Sequence, residues 1–208
     1  MAKTKTVVPV MNKIIFATNN KHKADEIRII LGERFEIITL KEAGIFIDIP
    51  EPYHTLKENA IEKAQVIYQM KTENCFSEDT GLEVEALDGA PGVFSARYAG
   101  EEATAADNIK KLLLALDGKS NRKACFTTCI CLILDGKQYF FEGKCHGTIA
   151  DSIRGDKGFG YDPVFIPDGY QHTFAELDSN IKSAISHRKK AVAQMVDFLF
   201  SNPTRQII

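Results

Sequence analysis

Apolar positions recur along the chain with two periods, every second residue and every third or fourth, and the switches between them divide it into strands and helices. Residues 13–18 read as a buried strand, and over 21–31 Ala24, Ile27 and Leu31 fall on one helical face that Gly32 closes. Only Thr18-Asn19-Asn20 separates the two. Residues 35–40 alternate as a second strand, and Thr55-Leu56-Lys57-Glu58 has the form of a capping box opening a helix to about residue 70. Residues 75–77 and 82–87 read as two strands flanking an acidic turn, followed by the tight loop Asp88-Gly89-Ala90-Pro91-Gly92. Thr104 caps a helix that turns Ile109, Leu112, Leu113 and Leu116 inward and ends near Gly118. Two long strands, 123–134 and 138–149, flank Asp135-Gly136, a hairpin signal that makes the sheet mixed. A glycine- and aromatic-rich segment over 155–168 follows, then a polar stretch and a last amphipathic helix with Ala191, Met195 and Leu199 on one side. No repeat or low-complexity linker interrupts this pattern, which predicts one α/β unit (α+β, mixed sheet) pinched into lobes around a cleft.

Composition narrows the function classes. The chain has 208 residues, 44% apolar and 26% charged, with a formal net charge of −2, so nothing draws it as a whole toward a nucleic acid polymer or an anionic membrane. Five cysteines lack any C-x-x-C spacing, and Cys129 and Cys131 share one face of a strand, where a thiol behaves as a small apolar group. The apolar run Val7-Val8-Pro9-Val10-Met11 is too short for a signal-peptide core and is broken by proline, and no segment is long enough to span a membrane, so a cytoplasmic protein is expected. Residues 1–10 are expected to be a flexible extension, with a single catalytic domain over 11–208.

Four segments carry candidate chemistry. The strand-to-turn segment Phe76-Ser77-Glu78-Asp79-Thr80-Gly81 places two carboxylates where apolar residues are expected. Burying one costs several kcal/mol unless it is paired or metal-bound. Oxygen-only ligands favour Mg²⁺ over zinc, although Asp-Thr-Gly is also ordinary turn chemistry. Thr18-Asn19-Asn20-Lys21-His22-Lys23 opens a helix, whose free N–H groups and dipole attract phosphate; simple asparagine capping is the alternative. Ser186-His187-Arg188-Lys189-Lys190 puts cations at a helix start, which the dipole disfavours by up to about 1 kcal/mol each, so a bound polyanion gripped by Arg188 would relieve the conflict. In Gly158-Phe159-Gly160-Tyr161-Asp162-Pro163, two glycines and two aromatics can frame a flat ring, or anchor a turn in the core. Together the four imply a nucleoside triphosphate with Mg²⁺.

These residues resemble the inosine triphosphate pyrophosphatase family. The likeness runs through Phe16-Ala17-Thr18-Asn19-Asn20-x-x-Lys23, Glu58-Asn59-Ala60-x-x-Lys63-Ala64, Glu78-Asp79-Thr80-Gly81-Leu82, Gly89-Ala90-Pro91-Gly92-Val93-Phe94-Ser95-Ala96-Arg97-Tyr98, the Gly158 segment, and Lys182-Ser183-Ala184-Ile185-Ser186-His187-Arg188. The resemblance implies a long curved mixed sheet flanked by helices, two lobes with the site in the cleft between them, and a homodimer. It implies Mg²⁺-dependent cleavage of ITP, dITP and XTP to the monophosphate and pyrophosphate. It assigns the phosphates to Thr18, Asn19, Asn20, Lys21, His22 and Lys23, and makes Asp79 the general base or metal carboxylate with Glu51 as the second metal ligand. Thr80 and Lys63 would contact the substrate, Phe159, Gly160, Tyr161 and Asp162 would frame the base, and Lys182, His187 and Arg188 would complete the site. Asn19 stands where the family often has glycine, and Glu78 where it often has aspartate. Two other functions fit the same residues: a nucleotide-binding regulator without turnover, and a hydrolase that releases single phosphates or acts on modified pyrimidines.

Overall fold

The computed structural model describes residues 12–32 and 35–201; the extension expected at 1–10 lies outside the described residues. A seven-stranded mixed sheet forms the frame. Strand β1 (Asn12–Phe16) leads through helix α1 (Lys21–Leu31) to β2 (Phe35–Thr39), and helix α2 (Leu56–Lys71) returns the chain to β3 (Cys75–Val84) on the other side of β1. β1 is parallel to both neighbours. The two-residue β4 (Pro91–Gly92) pairs with β3, helix α3 (Ala105–Ala115) follows, and β5 (Lys123–Leu134) and β6 (Lys137–Ile149) extend the sheet antiparallel from β3. β7 (Phe165–Pro167) completes it, and helices α4 (Ser179–Ile185) and α5 (His187–Ser201) end the described chain.

Three apolar clusters explain this arrangement. One packs α1 and α5 on one face of the sheet, through Ala24, Ile27, Ala191, Val192 and Met195 against Phe16, Phe76, Ile130 and Leu132. A second packs α2 on the other face, through Ala60, Ala64 and Ile67 against Ile15, Cys75, Cys131 and Ile133. The third fills the opposite end of the sheet, where Leu82, Val84 and Phe126 meet α3 and residues 161–177. Burial stabilises by about 1.5–3 kcal/mol for each fully buried apolar side chain, which is what holds the helices on the sheet. β5 shows why its sequence is apolar almost without alternation: helices cover both of its faces.

The expected elements form, with one correction that matters for chemistry. No acidic turn separates two short strands; Cys75–Val84 is a single strand that runs through Glu78, Asp79, Thr80 and Gly81. The carboxylates are tolerated inside the strand because cations reach them from both faces of the sheet. Smaller differences are a half-buried Leu113, and a Thr55 cap in which Glu58 takes the threonine hydroxyl at 2.7 Å. The Asp135-Gly136 hairpin closes as expected, with Asp135 at φ 51°.

Two features place the site. β1 pairs with β3 only at Ile15↔Cys75 and Phe16↔Phe76, while β3 continues to Val84. β3 therefore outruns its parallel neighbour, and residues 78–81 border the crevice beyond the carboxyl end of β1, at the point where the chain leaves β1 to either side. The second feature is Gly143 on β6. A Cβ there would lie 2.1 Å from the His187 carbonyl oxygen and 2.4 Å from Ala191 N, so only glycine lets the first turn of α5 rest on the hairpin.

Candidate active site

A cavity of about 420 Å³ opens between the two halves of the sheet, in the size range of small-molecule sites. Asn20, the cap of α1, His22 and Lys23 from its first turn, Glu51 from the loop before α2, and Asp79 and Thr80 from β3 line it. Phe159, Gly160, Tyr161, Asp162, Lys182, His187 and Arg188 join them in the lining. Segments distant in sequence thus share one space.

The two acids of β3 have separate surroundings because successive residues of a strand face opposite ways. Glu78 turns toward α1 and α5. The Arg188 guanidinium grips it in a fork, Nε to Oε2 and Nη2 to Oε1 both at 2.9 Å, and Lys23 Nζ lies 3.3 Å away. Burial pushes the Glu78 carboxyl up, but Arg188 and Lys23 prevail and hold it at about 2. Arg188 is only 1% exposed, and its third nitrogen donates to Glu26 of α1.

Asp79 turns toward α2. Lys63 Nζ donates to its Oδ1 at 3.2 Å and also to Glu51 Oε1, while Asn59 Nδ2 donates to its Oδ2 at 3.4 Å. Asn59 and Lys63 stand one helical turn apart and so reach the same acid. Burial raises the Asp79 carboxyl above its ordinary value, against the pull of Lys63 and with the help of the Glu51 charge. Burial also pushes Glu51 upward, but there Lys63 prevails and the carboxyl stays low.

Around Phe159 lies a second charged group. Lys182 Nζ donates to Asp162 Oδ2 at 2.7 Å and to Glu26 Oε1 at 2.6 Å, and stands 4.8 Å from the Phe159 ring centre. The His22 ring stacks on Phe159 with centroids 5.4 Å apart. Asp162 also accepts from Phe159 N at 2.7 Å, and a Cβ on Gly158 would come within 2.1 Å of its Oδ2, so the glycine keeps room for that carboxylate. Burial raises the Asp162 carboxyl despite Lys182. His187 stacks on Phe126 at 4.6 Å, and its buried Nδ1 has no hydrogen-bond partner among the described residues. Burial, and next the Arg188 charge, hold this imidazole well below 6.5, so it is neutral at pH 7.

Of the expected residues, Thr18, Asn19, Lys21 and Lys63 do not line the cavity, while Asn20, Tyr161 and Arg188 line it with their polar groups already engaged within the fold. Lys21 is exposed, Thr18 Oγ1 accepts from Asn20 N at 3.1 Å, and Asn19 Nδ2 donates to Ile47 O at 3.4 Å. Asn20 caps α1, its Oδ1 accepting from Lys23 N at 3.2 Å. Lys63 sits behind Glu51 and Asp79 instead of facing the cavity. Arg188 does not present its fork to an anion from outside, because Glu78 and Glu26 occupy it; these acids resolve the clash with the helix dipole. Tyr161 is an anchor, its hydroxyl donating to Ser95 O at 2.9 Å.

Sequence reasoning missed Glu26, Asn59, Asn108 and Phe126, and gave the segment 93–98 no role beyond its part in the family likeness. Ser95 and Ala96 in fact form part of the cavity wall, and Asn108 secures them by accepting from Ala99 N at 2.7 Å and donating to Ala96 O at 2.9 Å. Helical spacing was the available signal for two of these, since Glu26 follows Lys23 by three residues and Asn59 precedes Lys63 by four.

The model of the Ham1 family matches residues 14–198. A dITP/XTP pyrophosphatase of Porphyromonas gingivalis is 56% identical over 190 residues, covering 91% of this chain and 98% of that protein. One from Flavobacterium johnsoniae is 50% identical over 187 residues, covering 90% and 97%. Among solved structures, the Staphylococcus aureus Ham1 protein superposes with a TM-score of 0.83 at 36% identity, covering 91% of this chain and 99% of that one. A HAM1 protein from Coxiella burnetii gives 0.84 at 39%, covering 92% and 100%.

Proposed function

Because the chain belongs to the Ham1 family, we propose that it hydrolyses dITP, XTP and ITP to the nucleoside monophosphate and pyrophosphate, clearing non-standard purines from the nucleotide pool. It is a nucleoside triphosphate pyrophosphatase, working in the cytoplasm as a homodimer with one catalytic domain over 11–208. The observation that carries this reading is that a lysine-bridged carboxylate pair, a helix N-terminus and an aromatic wall ringed by buried donors all border one cavity.

The donor set suits Mg²⁺. Glu51 and Asp79 supply only oxygen, and among the described residues no group of three or more His, Cys, Asp or Glu could hold a metal alone. Mg²⁺ is typically bound in this way, by one or two carboxylates with water and substrate phosphate making up the rest. Bound there, it supplies Lewis-acid neutralisation of the triphosphate oxygens.

The remaining chemistry is done by the chain itself. Lys63 keeps Glu51 and Asp79 together and offsets their mutual repulsion. Asp79, which borders the cavity, takes the proton of the water that attacks the α-phosphorus. Lys23 and the first-turn N–H groups of α1 receive the triphosphate and stabilise the departing pyrophosphate. Phe159 carries the face of the purine. Lys182 and His187 border its edge, and the Lys182 ammonium keeps one N–H beyond its two carboxylate partners, so a 6-oxo group finds a donor, whereas the 6-amino group of adenine sets donor against donor.

Product analysis tests this reading. With Mg²⁺, ITP, XTP and dITP should yield monophosphate and pyrophosphate at least about a hundredfold faster than ATP, and a chelator should abolish the reaction. Release of single phosphates, or faster turnover of modified pyrimidine triphosphates, would replace it with one of the other hydrolase functions. Light scattering on the eluted protein reads the dimer.

A further inference from the structure

Glu51 lies in a sixteen-residue connection, 40–55, between β2 and α2, and such a long segment without regular structure positions a ligand poorly unless it is tied down. Beside Glu51 itself, two ties hold the segment. Asn59 bonds both backbone groups of Tyr53, accepting from its N at 2.9 Å and donating to its O at 3.2 Å. Arg97 holds Glu51: Nη1 donates to Oε2 at 3.4 Å and Nη2 to the backbone O at 3.3 Å. Since Lys63 takes Oε1, each carboxylate oxygen meets a different cation, and Arg97 fixes the main chain as well.

Arg97 is carried by a rigid platform. It ends the 3-10 turn Ser95–Arg97, which Tyr161 and Asn108 secure through the bonds described above, together with Ser95 Oγ, which donates to Gly92 O at 2.6 Å. Its guanidinium also lies 5.4 Å from the Phe94 ring centre. The side chain faces a groove beside the main cavity, with Asp48 and Glu101, and does not line the cavity itself.

We propose that Arg97 is a positioning residue for Glu51, setting the carboxylate and its main chain in the orientation that receives the divalent cation; this rests on the functional reading above. The fork is suited to the task because it spans a side chain and a carbonyl at once, which a lysine ammonium cannot do from one point. Each carboxylate oxygen keeps a second lone pair for the cation.

The test uses Mn²⁺ as a paramagnetic probe on the full-length protein, with the Mg²⁺ dependence of pyrophosphate release from ITP measured alongside. Arg97→Ala should weaken Mn²⁺ binding and raise the Mg²⁺ midpoint by roughly 10- to 100-fold, the usual effect of removing a partner behind a metal ligand. At saturating Mg²⁺ its KM for ITP should match the wild type, and backbone amides of 45–54 should exchange faster. Arg97→Lys should fall between the two, and it keeps the assignment testable if the alanine variant folds poorly. Glu101→Gln should change nothing, since Glu101 is 83% exposed and meets Arg97 only from outside. A wild type that turns over ITP while both Arg97 variants keep its Mn²⁺ affinity and Mg²⁺ midpoint overturns the assignment, as does a uniform loss of rate at every Mg²⁺ concentration. A wild type that binds no Mn²⁺ and releases no pyrophosphate overturns the functional reading beneath it.

Discussion

Glu78 and Asp79 are consecutive residues of one strand whose carboxylates serve opposite faces of the sheet, Glu78 facing Arg188 and Asp79 facing Lys63. Removing each charge should therefore have a different effect. Asp79→Asn should lower kcat by about 10²-fold or more while leaving the melting temperature near the wild type, because it removes the proton acceptor. Glu78→Gln should leave Arg188 buried with only Glu26 for charge, costing about 3 kcal/mol of stability. Chemical denaturation and steady-state kinetics on both variants separate the effects. Equal losses of stability and activity in the two would show that the acids act as one cluster.

The neutral, buried His187 predicts how stability changes with pH. Its folded pKa lies well below the unfolded value of 6.5. Its contribution is thus fully present above pH 6.5 and declines as pH falls below it, because only the unfolded chain takes up the proton. The slope from one such group is about 1.4 kcal/mol per pH unit. Urea denaturation at pH 7.0 and 5.5 should show this decline in the wild type and a smaller one in His187→Gln. Identical slopes would mean that the folded imidazole accepts a proton freely.

Lys63 lowers both Glu51 and Asp79, so its loss should raise both carboxyl pKa values. For Lys63→Met the acidic limb of the kcat/KM profile should move to higher pH, the direction expected when a cation is taken from beside a carboxylate. An unchanged limb with a lower plateau would place Lys63 on the substrate instead.

Burial pushes the thiols of Cys75, Cys129 and Cys131 up to about 12 and that of Cys145 to about 11. Only the half-buried Cys125 has appreciable access to solvent. Thiol titration of the native protein at pH 8 should therefore be slow, with Cys125 reacting first and all five groups reacting in denaturant. A rapid burst from several thiols would contradict the packed positions in β3, β5 and β6.

Helices α1, α2, α3 and α5 and the Asp135-Gly136 hairpin were legible because their signals are local: a cap, a face of recurring apolar residues, a turn pair. Most of the cavity lining was legible as well, because Asp79, Phe159, Asp162, Lys182 and His187 carry chemistry that an apolar core does not need. The strand through Glu78 and Asp79 was not. Local propensity marks adjacent carboxylates as a turn, and the cations that make them tolerable come from α2 and α5, remote in sequence. Arg97 was unreadable for the same reason, since it acts through a partner that only the fold brings near, and for Glu26 the spacing from Lys23 gave a face but not the Lys182 and Arg188 it meets.

Three carboxylates, those of Glu26, Glu78 and Asp162, depend on Lys182 and Arg188. Both cations arise near the end of the described chain, so a message cut short before them yields a polypeptide with stranded negative charge in its interior. Such fragments should unfold and be degraded instead of lingering as slow enzymes, because acids laid down early in the chain wait on cations that α4 and the first turn of α5 bring.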